Sequence, residues 1–165
     1  MTTRRRPLAA MVLAASLVLG ACGGSDDSSS GPCRSGDEAA KASKPDVQTP
    51  NAKVQELETI DLIEGCGDPI PSGAVANVTV HYVGRSQAND VEFDSSWERN
   101  APASFPVGAG SLIQGWDEGL VDMKEGGRRE LTIPGSLAYG PAGRPPNIGP
   151  DDTLRFVIDL VSVQN

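Results

Sequence analysis

Leu112-Ile113-Gln114-Gly115-Trp116 places two large apolar residues, a glycine and a tryptophan where a loop runs into a helix. Ile113, Trp116 and Leu120 fall at i, i+3 and i+7, on one helical face. Only 4% of the chain is aromatic, so a tryptophan at a helix start marks an apolar floor, whether of a core or of a pocket. Tyr82, Phe93, Tyr139, Ile148 and Phe156 supply further large surfaces, and Asp94 a placed polar group. With Leu112 they could bind an apolar ligand oriented by a few polar contacts. The same composition also suits a core. Covalent and proton-transfer chemistry finds less support. His81 is the single histidine, sits mid-strand, and reads as structural or surface-lying, with no nucleophile motif beside it. No Gly-rich phosphate loop of the usual spacing is present. Beyond Cys22, two cysteines and one histidine without paired spacing give no metal site, and no cofactor is expected. Asp26-Asp27 and Asp151-Asp152 read as solvated acids.

The elements that must position these residues follow from local pattern. Leu57–Glu64 reads as a strand. Val78–Gly84 is β-branched and aromatic, hence a strand with Val78, Val80 and Tyr82 on one face. Val91–Asp94 and Ser104–Val107 are short strands. The helix is expected over Ile113–Met123, ended by Gly126-Gly127. Arg128–Ile133 is a strand, and Pro134 stops it. Leu137–Pro150 is a long proline-stiffened loop, of the kind that carries function. In Thr153–Val163, Leu154, Phe156, Ile158 and Leu160 alternate with Arg155, Val157, Asp159 and Val161, a period-2 strand. Many antiparallel strands and one short helix make an α+β fold with the helix on one sheet face.

The N-terminus has a different character. Arg4, Arg5 and Arg6 precede an apolar run from Leu8 to Leu19 and then small residues, the layout of a secretory signal over residues 1–21. Leu19-Gly20-Ala21-Cys22 resembles a bacterial lipobox, which implies lipidation of Cys22 and an extracytoplasmic protein anchored to the cell membrane. Residues 22–53 are Gly-, Ser-, Asp-, Pro- and Ala-rich and read as a flexible tether. The folded domain is expected over 54–165. Cys33 and Cys66 are expected to pair outside the cytoplasm. Loss of the three leader arginines leaves 11 basic residues against 22 acidic ones. That balance disfavours nucleic acid and electrostatic attachment to an anionic membrane; attachment is expected through lipid.

Six motifs in order resemble the FKBP type of peptidyl-prolyl cis-trans isomerase. They are Val80–Gly84, Phe93-Asp94-Ser95-Ser96, Ile113–Leu120, Leu131–Pro134, Ala138-Tyr139-Gly140 and Leu154-Arg155-Phe156. The resemblance implies a five- or six-stranded antiparallel half-barrel wrapped around one short helix, with a proline pocket between them. It places Trp116 as the floor, Tyr82, Phe93 and Phe156 as walls, Leu112 and Ile113 on the rim, and Ile148 as a cap from the loop. It gives the Ile113 N–H and the Tyr139 hydroxyl as donors to ligand carbonyls, and has Tyr82, Asp94 and Arg99 pair with one another. The implied partners are proline-containing polypeptides, with FK506 or rapamycin as candidate ligands, bound by a monomer. Three departures from the commonest family pattern stand out: Ala103 for a large aromatic wall residue, Arg144 for a frequent loop histidine, and Asn147, beside Pro146, for an apolar residue. They imply a pocket widened at Ala103, and an alternative function as a non-catalytic peptide-binding or chaperone module.

Overall fold

The structure, a computed structural model, describes residues 33–164. The signal segment 1–21, Cys22 and the tether as far as residue 32 lie outside the described residues. Six strands form one antiparallel sheet: β1 (Glu58–Ile63), β2 (Ala76–Ser86), β3 (Val91–Ser95), β4 (Ala103–Val107), β5 (Arg128–Ile133) and β6 (Leu154–Gln164). The order is β1-β5-β6-β2-β3, and β4 also pairs with β2. The eleven residues of β2 allow this. Ala76–Val80 pairs with β4, Val83–Ser86 pairs with β3, and the other edge of β2 runs along β6. Among the described residues two short α-helices are present, α1 (Gly36–Ala40) and α2 (Gln114–Gly119).

The alternation of β2 and β6 builds the core. Val78, Val80, Tyr82, Leu154, Phe156, Ile158 and Leu160 are buried on the concave face together with Leu131 and Ile133 of β5. Helix α2 lies across that face. A Cβ at Gly115 would come within 2.4 Å of Ile133, and one at Gly119 within 2.8 Å of Leu131, so these glycines let the helix backbone rest on β5. The same contact shortens the helix. It ends at Gly119 with Leu120 as its C-cap, well short of the expected Met123. Asp122 then turns the chain at φ 61, and Gly126-Gly127 lies in the turn that leads into β5.

The convex face is also buried, and this overturns two expectations. Val83 and Val157, on the face opposite Tyr82 and Phe156, pack with Val47 and Trp97. The covering chain is the stretch from Cys33 onward, which the composition assigns to the tether. Ser35 and Glu38 form a capping box that starts α1. Arg34 exchanges backbone hydrogen bonds with Glu64 and Cys66, at 2.8 and 3.0 Å. Cys33 and Cys66 are joined by a disulfide with Cα atoms 5.2 Å apart. The domain thus extends upstream of residue 54. Composition missed this because few large apolar residues do the covering, and polar groups do the rest. Asp159, 0% exposed, is held by Arg34 and Arg128, the latter through Nε and Nη2, both at 2.9 Å. Asp152 is also buried rather than solvated. It accepts from the Ser86 hydroxyl at 2.5 Å and from the Ala88 and Gly149 amides at 2.8 and 3.3 Å.

Candidate active site

A cavity of about 520 Å³ opens between α2, the concave face and the loop after β5. Its floor is Trp116, and three rings meet that indole edge-on. Tyr82, Phe105 and Phe156 each have their centroid 5.4 Å away, at interplanar angles of 82–88°. Phe93 adds a further edge contact to Phe156 at 5.5 Å. Edge-to-face packing of this kind adds stabilisation beyond the buried area and holds each ring at a fixed angle. The indole Nε1 is buried with no hydrogen-bond partner among the described residues.

Local backbone irregularity aims these rings. The β2–β3 register steps from Gly84↔Asp94 to Arg85↔Glu92, which leaves Phe93 as the extra residue of a β-bulge. A bulge re-aims the side chain it carries, and Phe93 lines the cavity. Gly84 makes room: a Cβ there would come within 2.7 Å of Phe156 and 2.8 Å of Phe93. The β4–α2 loop is tied down by Asp117, which accepts from the amides of Gly108 and Gly110 at 2.7 and 3.0 Å. That tie sets Leu112 and Ile113 at the rim. Ile113 is the residue before the helix, with no side-chain cap, and its carbonyl accepts from Trp116. Its own N–H has no acceptor among the described residues.

The polar end is a closed triangle. The Tyr82 hydroxyl donates to Asp94 at 2.6 Å, and Arg99 donates to both, at 2.7 Å each. The guanidinium also lies 5.6 Å from the Tyr82 ring centroid. Burial, then the bond to Asp94, pushes the Tyr82 phenol up to about 12. Burial acts to raise the Asp94 carboxyl too, but the hydrogen bonds from Arg99 and Tyr82 outweigh it and hold that carboxyl below its ordinary value. The proton of Tyr82 is therefore committed to Asp94 at neutral pH. The triangle braces a wall and stores no proton for transfer. Tyr139 is different. It lines the opposite side, its ring 5.8 Å from the Arg144 guanidinium, and its hydroxyl has no partner among the described residues.

The residues expected at the site, Tyr82, Phe93, Asp94, Leu112, Ile113, Trp116, Tyr139 and Phe156, line this one cavity. Ile148 does not. It is buried, 3% exposed, and borders a second cavity of about 380 Å³ that shares Phe93, Asp94 and Arg144 with the first. The cap expected there stands beside the pocket because the loop tip folds back, with Arg144 and Ile148 exchanging backbone bonds at 2.9 and 3.1 Å. Phe105 was missed. Ala103 pairs opposite Val80 and Phe105 opposite Val78, so both share one face of β4. Phe105 supplies the aromatic surface there, and Ala103 does not line the cavity. A period-2 reading of β4 would have found it.

The comparisons with known proteins fit this geometry. Residues 70–161 match the family model described as FKBP-type peptidyl-prolyl cis-trans isomerase. An FK506-binding protein of Streptomyces anulatus is 47% identical over 122 residues, covering 73% of this chain and 97% of that protein. A probable FK506-binding protein of Corynebacterium glutamicum is 44% identical over 120 residues, covering 72% of this chain and 98% of its own length. Among solved structures, AtFKBP13 superposes with a TM-score of 0.57 at 34% identity, covering 64% of this chain and 91% of that one.

Proposed function

This chain belongs to the FKBP-type peptidyl-prolyl cis-trans isomerase family, and from that premise we propose that it turns X-Pro bonds of exported proteins while held to a membrane by lipid on Cys22. The observation that carries the chemistry is the aromatic box around Trp116, with two free donors, the Ile113 N–H and the Tyr139 hydroxyl, at its mouth.

The barrier to be lowered is rotation about a conjugated amide, roughly 18–20 kcal/mol. Uncatalysed exchange takes tens to hundreds of seconds. Rotation breaks the conjugation, so the twisted amide is less polar than either planar form. An apolar box that excludes water disfavours the planar forms relative to the twisted one. Such differential binding is what accelerates a reaction. The Ile113 N–H and Tyr139 hydroxyl hold flanking carbonyls while the ring stays seated and one side of the bond turns. No residue has to give up or accept a proton. The triangle of Tyr82, Asp94 and Arg99 keeps one wall from collapsing into the empty box.

A cis-trans assay on proline tetrapeptides tests this. The chain should catalyse exchange, and Tyr139→Phe should lower kcat/KM by about tenfold, the equivalent of one lost hydrogen bond of ~1.4 kcal/mol in the transition state. Equal rates with and without protein would overturn the proposal. FK506 and rapamycin are proposed to compete for the same box, a monomer binding one molecule, and should raise the melting temperature. The binding-only alternative draws on Ala103 and Arg144; Phe105 supplies an aromatic surface on the Ala103 face of β4, while Arg144 stands in the cavity lining.

The export proposal is supported by the basic start, the apolar run and Cys22 in lipobox order, and by a disulfide of the kind that persists in oxidising compartments. Replacing Cys22 by Ser should release the protein from membranes. Continued partitioning with membranes would contradict lipidation.

A further inference from the structure

The rim of the proline box carries a charge that the isomerisation chemistry does not use. Asp94 and Arg144 are the charged side chains that line both the main cavity and the 380 Å³ cavity beside it. Asp94 is already engaged by Arg99 and Tyr82. Arg144 is exposed, makes no ion pair or side-chain hydrogen bond among the described residues, and has its guanidinium 5.8 Å from the Tyr139 ring centroid. The local balance is thus one cation in excess, in a chain whose net charge is −8.

The base of Arg144 is fixed although its head is free. Its backbone is paired with Ile148 in both directions. Gly143, at φ 60, turns the chain where a Cβ would come within 2.5 Å of the Gly149 carbonyl. Asn89 donates to the Asn147 carbonyl at 2.9 Å, and buried Asp152 accepts from the Gly149 amide. The loop therefore presents a guanidinium at a defined place, between the seat of the proline ring and the adjoining cavity.

We propose that Arg144 is a specificity-determining residue that favours substrates with an acidic side chain next to the proline. This rests on the isomerase function of the same site. With the proline ring in the aromatic box, a neighbouring residue of an extended peptide falls within reach of the second cavity, whose charged lining is the engaged Asp94 and the free Arg144. A carboxylate there gains a partner, and an ammonium meets a like charge.

The test uses two tetrapeptide series, with Glu, Gln or Lys immediately before proline in one and immediately after it in the other. In at least one series kcat/KM should rank Glu above Gln above Lys. A Glu-to-Lys ratio of about fivefold is expected for an exposed charge pair, shrinking in high salt. Arg144→Gln should bring that ratio to one, Arg144→Lys should restore it, and Arg144→Glu should invert it. Each ratio is internal to one variant, so a change in overall rate cancels. Equal rates for Glu and Lys in both series would overturn the proposal while turnover of the Gln peptides keeps the isomerase function intact. A preference that survives Arg144→Gln would also overturn it. Absence of turnover on every peptide would sink the isomerase function and this proposal together.

Discussion

The concave face of the sheet buries aromatic rings against α2, whereas the convex face buries Asp159 and His81 under the chain from Cys33 to Val47. On the concave side the polar groups stand at the edge, and the space is left empty for a ligand. On the convex side the space is filled, and the buried Asp159 carboxylate is held by two guanidiniums. Arg34 donates to Asp159 and to the carbonyls of Gly126 and Gly127 at 2.6 and 3.1 Å, while His81 stacks on Trp97 with centroids 5.0 Å apart. The contrast separates two uses of burial. One face excludes water so that an incoming amide is desolvated. The other spends its exclusion of water on holding the molecule together.

Substitutions can break this division of labour. Trp116→Ala removes the ring that Tyr82, Phe105 and Phe156 surround. Unfolding in denaturant should show a loss of about 3–5 kcal/mol, and peptide turnover should vanish in whatever remains folded. Asp159→Ala strands the Arg34 and Arg128 guanidiniums, whose side chains are only 14% and 16% exposed. It should cost about 3 kcal/mol with kcat/KM per folded molecule unchanged. A tenfold fall in that rate would mean that the two faces are coupled. Tyr82→Phe deletes two hydrogen bonds of the triangle, the one donated to Asp94 and the one accepted from Arg99, but leaves Arg99 on Asp94, so stability should fall by about 1–2 kcal/mol.

The smallest effect sharpens the comparison by pH. Burial holds the His81 imidazole below its ordinary 6.5, with Asp159 opposing. A lowered value means that its stabilisation is present above pH 6.5 and is lost as pH falls below it. Asp94 lies below its ordinary 3.8, so its contribution is lost only as pH drops under that value. The convex face should therefore weaken first on acidification. Chemical denaturation across pH 7 to 4 should show a slope that His81→Gln flattens and Asp94→Asn does not. Equal slopes in the two variants would remove the distinction.

How much of this could be read from residue order differs between the faces in the same way. The concave strands announce themselves, because Val78, Val80 and Tyr82, and then Leu154 through Leu160, alternate at period 2. The site residues near them came with the family motifs. The convex face was illegible because His81, Val83, Val157 and Asp159 occupy the alternate positions that a one-sided sheet turns to water. Their cover is a polar segment that composition reads as tether, and only its cysteine hinted at attachment. Phe105 escaped notice beside the small Ala103 in a five-residue strand. The end of α2 was misplaced because its stop comes from packing of Gly119 on Leu131, a tertiary contact, whereas Gly126-Gly127 looked like a local signal.

The Cys33–Cys66 bond has a mechanical consequence. A pull on the chain upstream of Cys33, as a membrane leash would exert, meets the cross-link before it meets any hydrogen bond. The load crosses the two sulfurs to Cys66, and the 32 residues enclosed by a separation of 33 lie off the series path. The covering segment with α1 and β1 is thereby shunted, and Arg34 need not hold Asp159 against traction. A leash attached upstream of Cys33 would therefore load the domain at Cys66 and leave the covering segment out of the path.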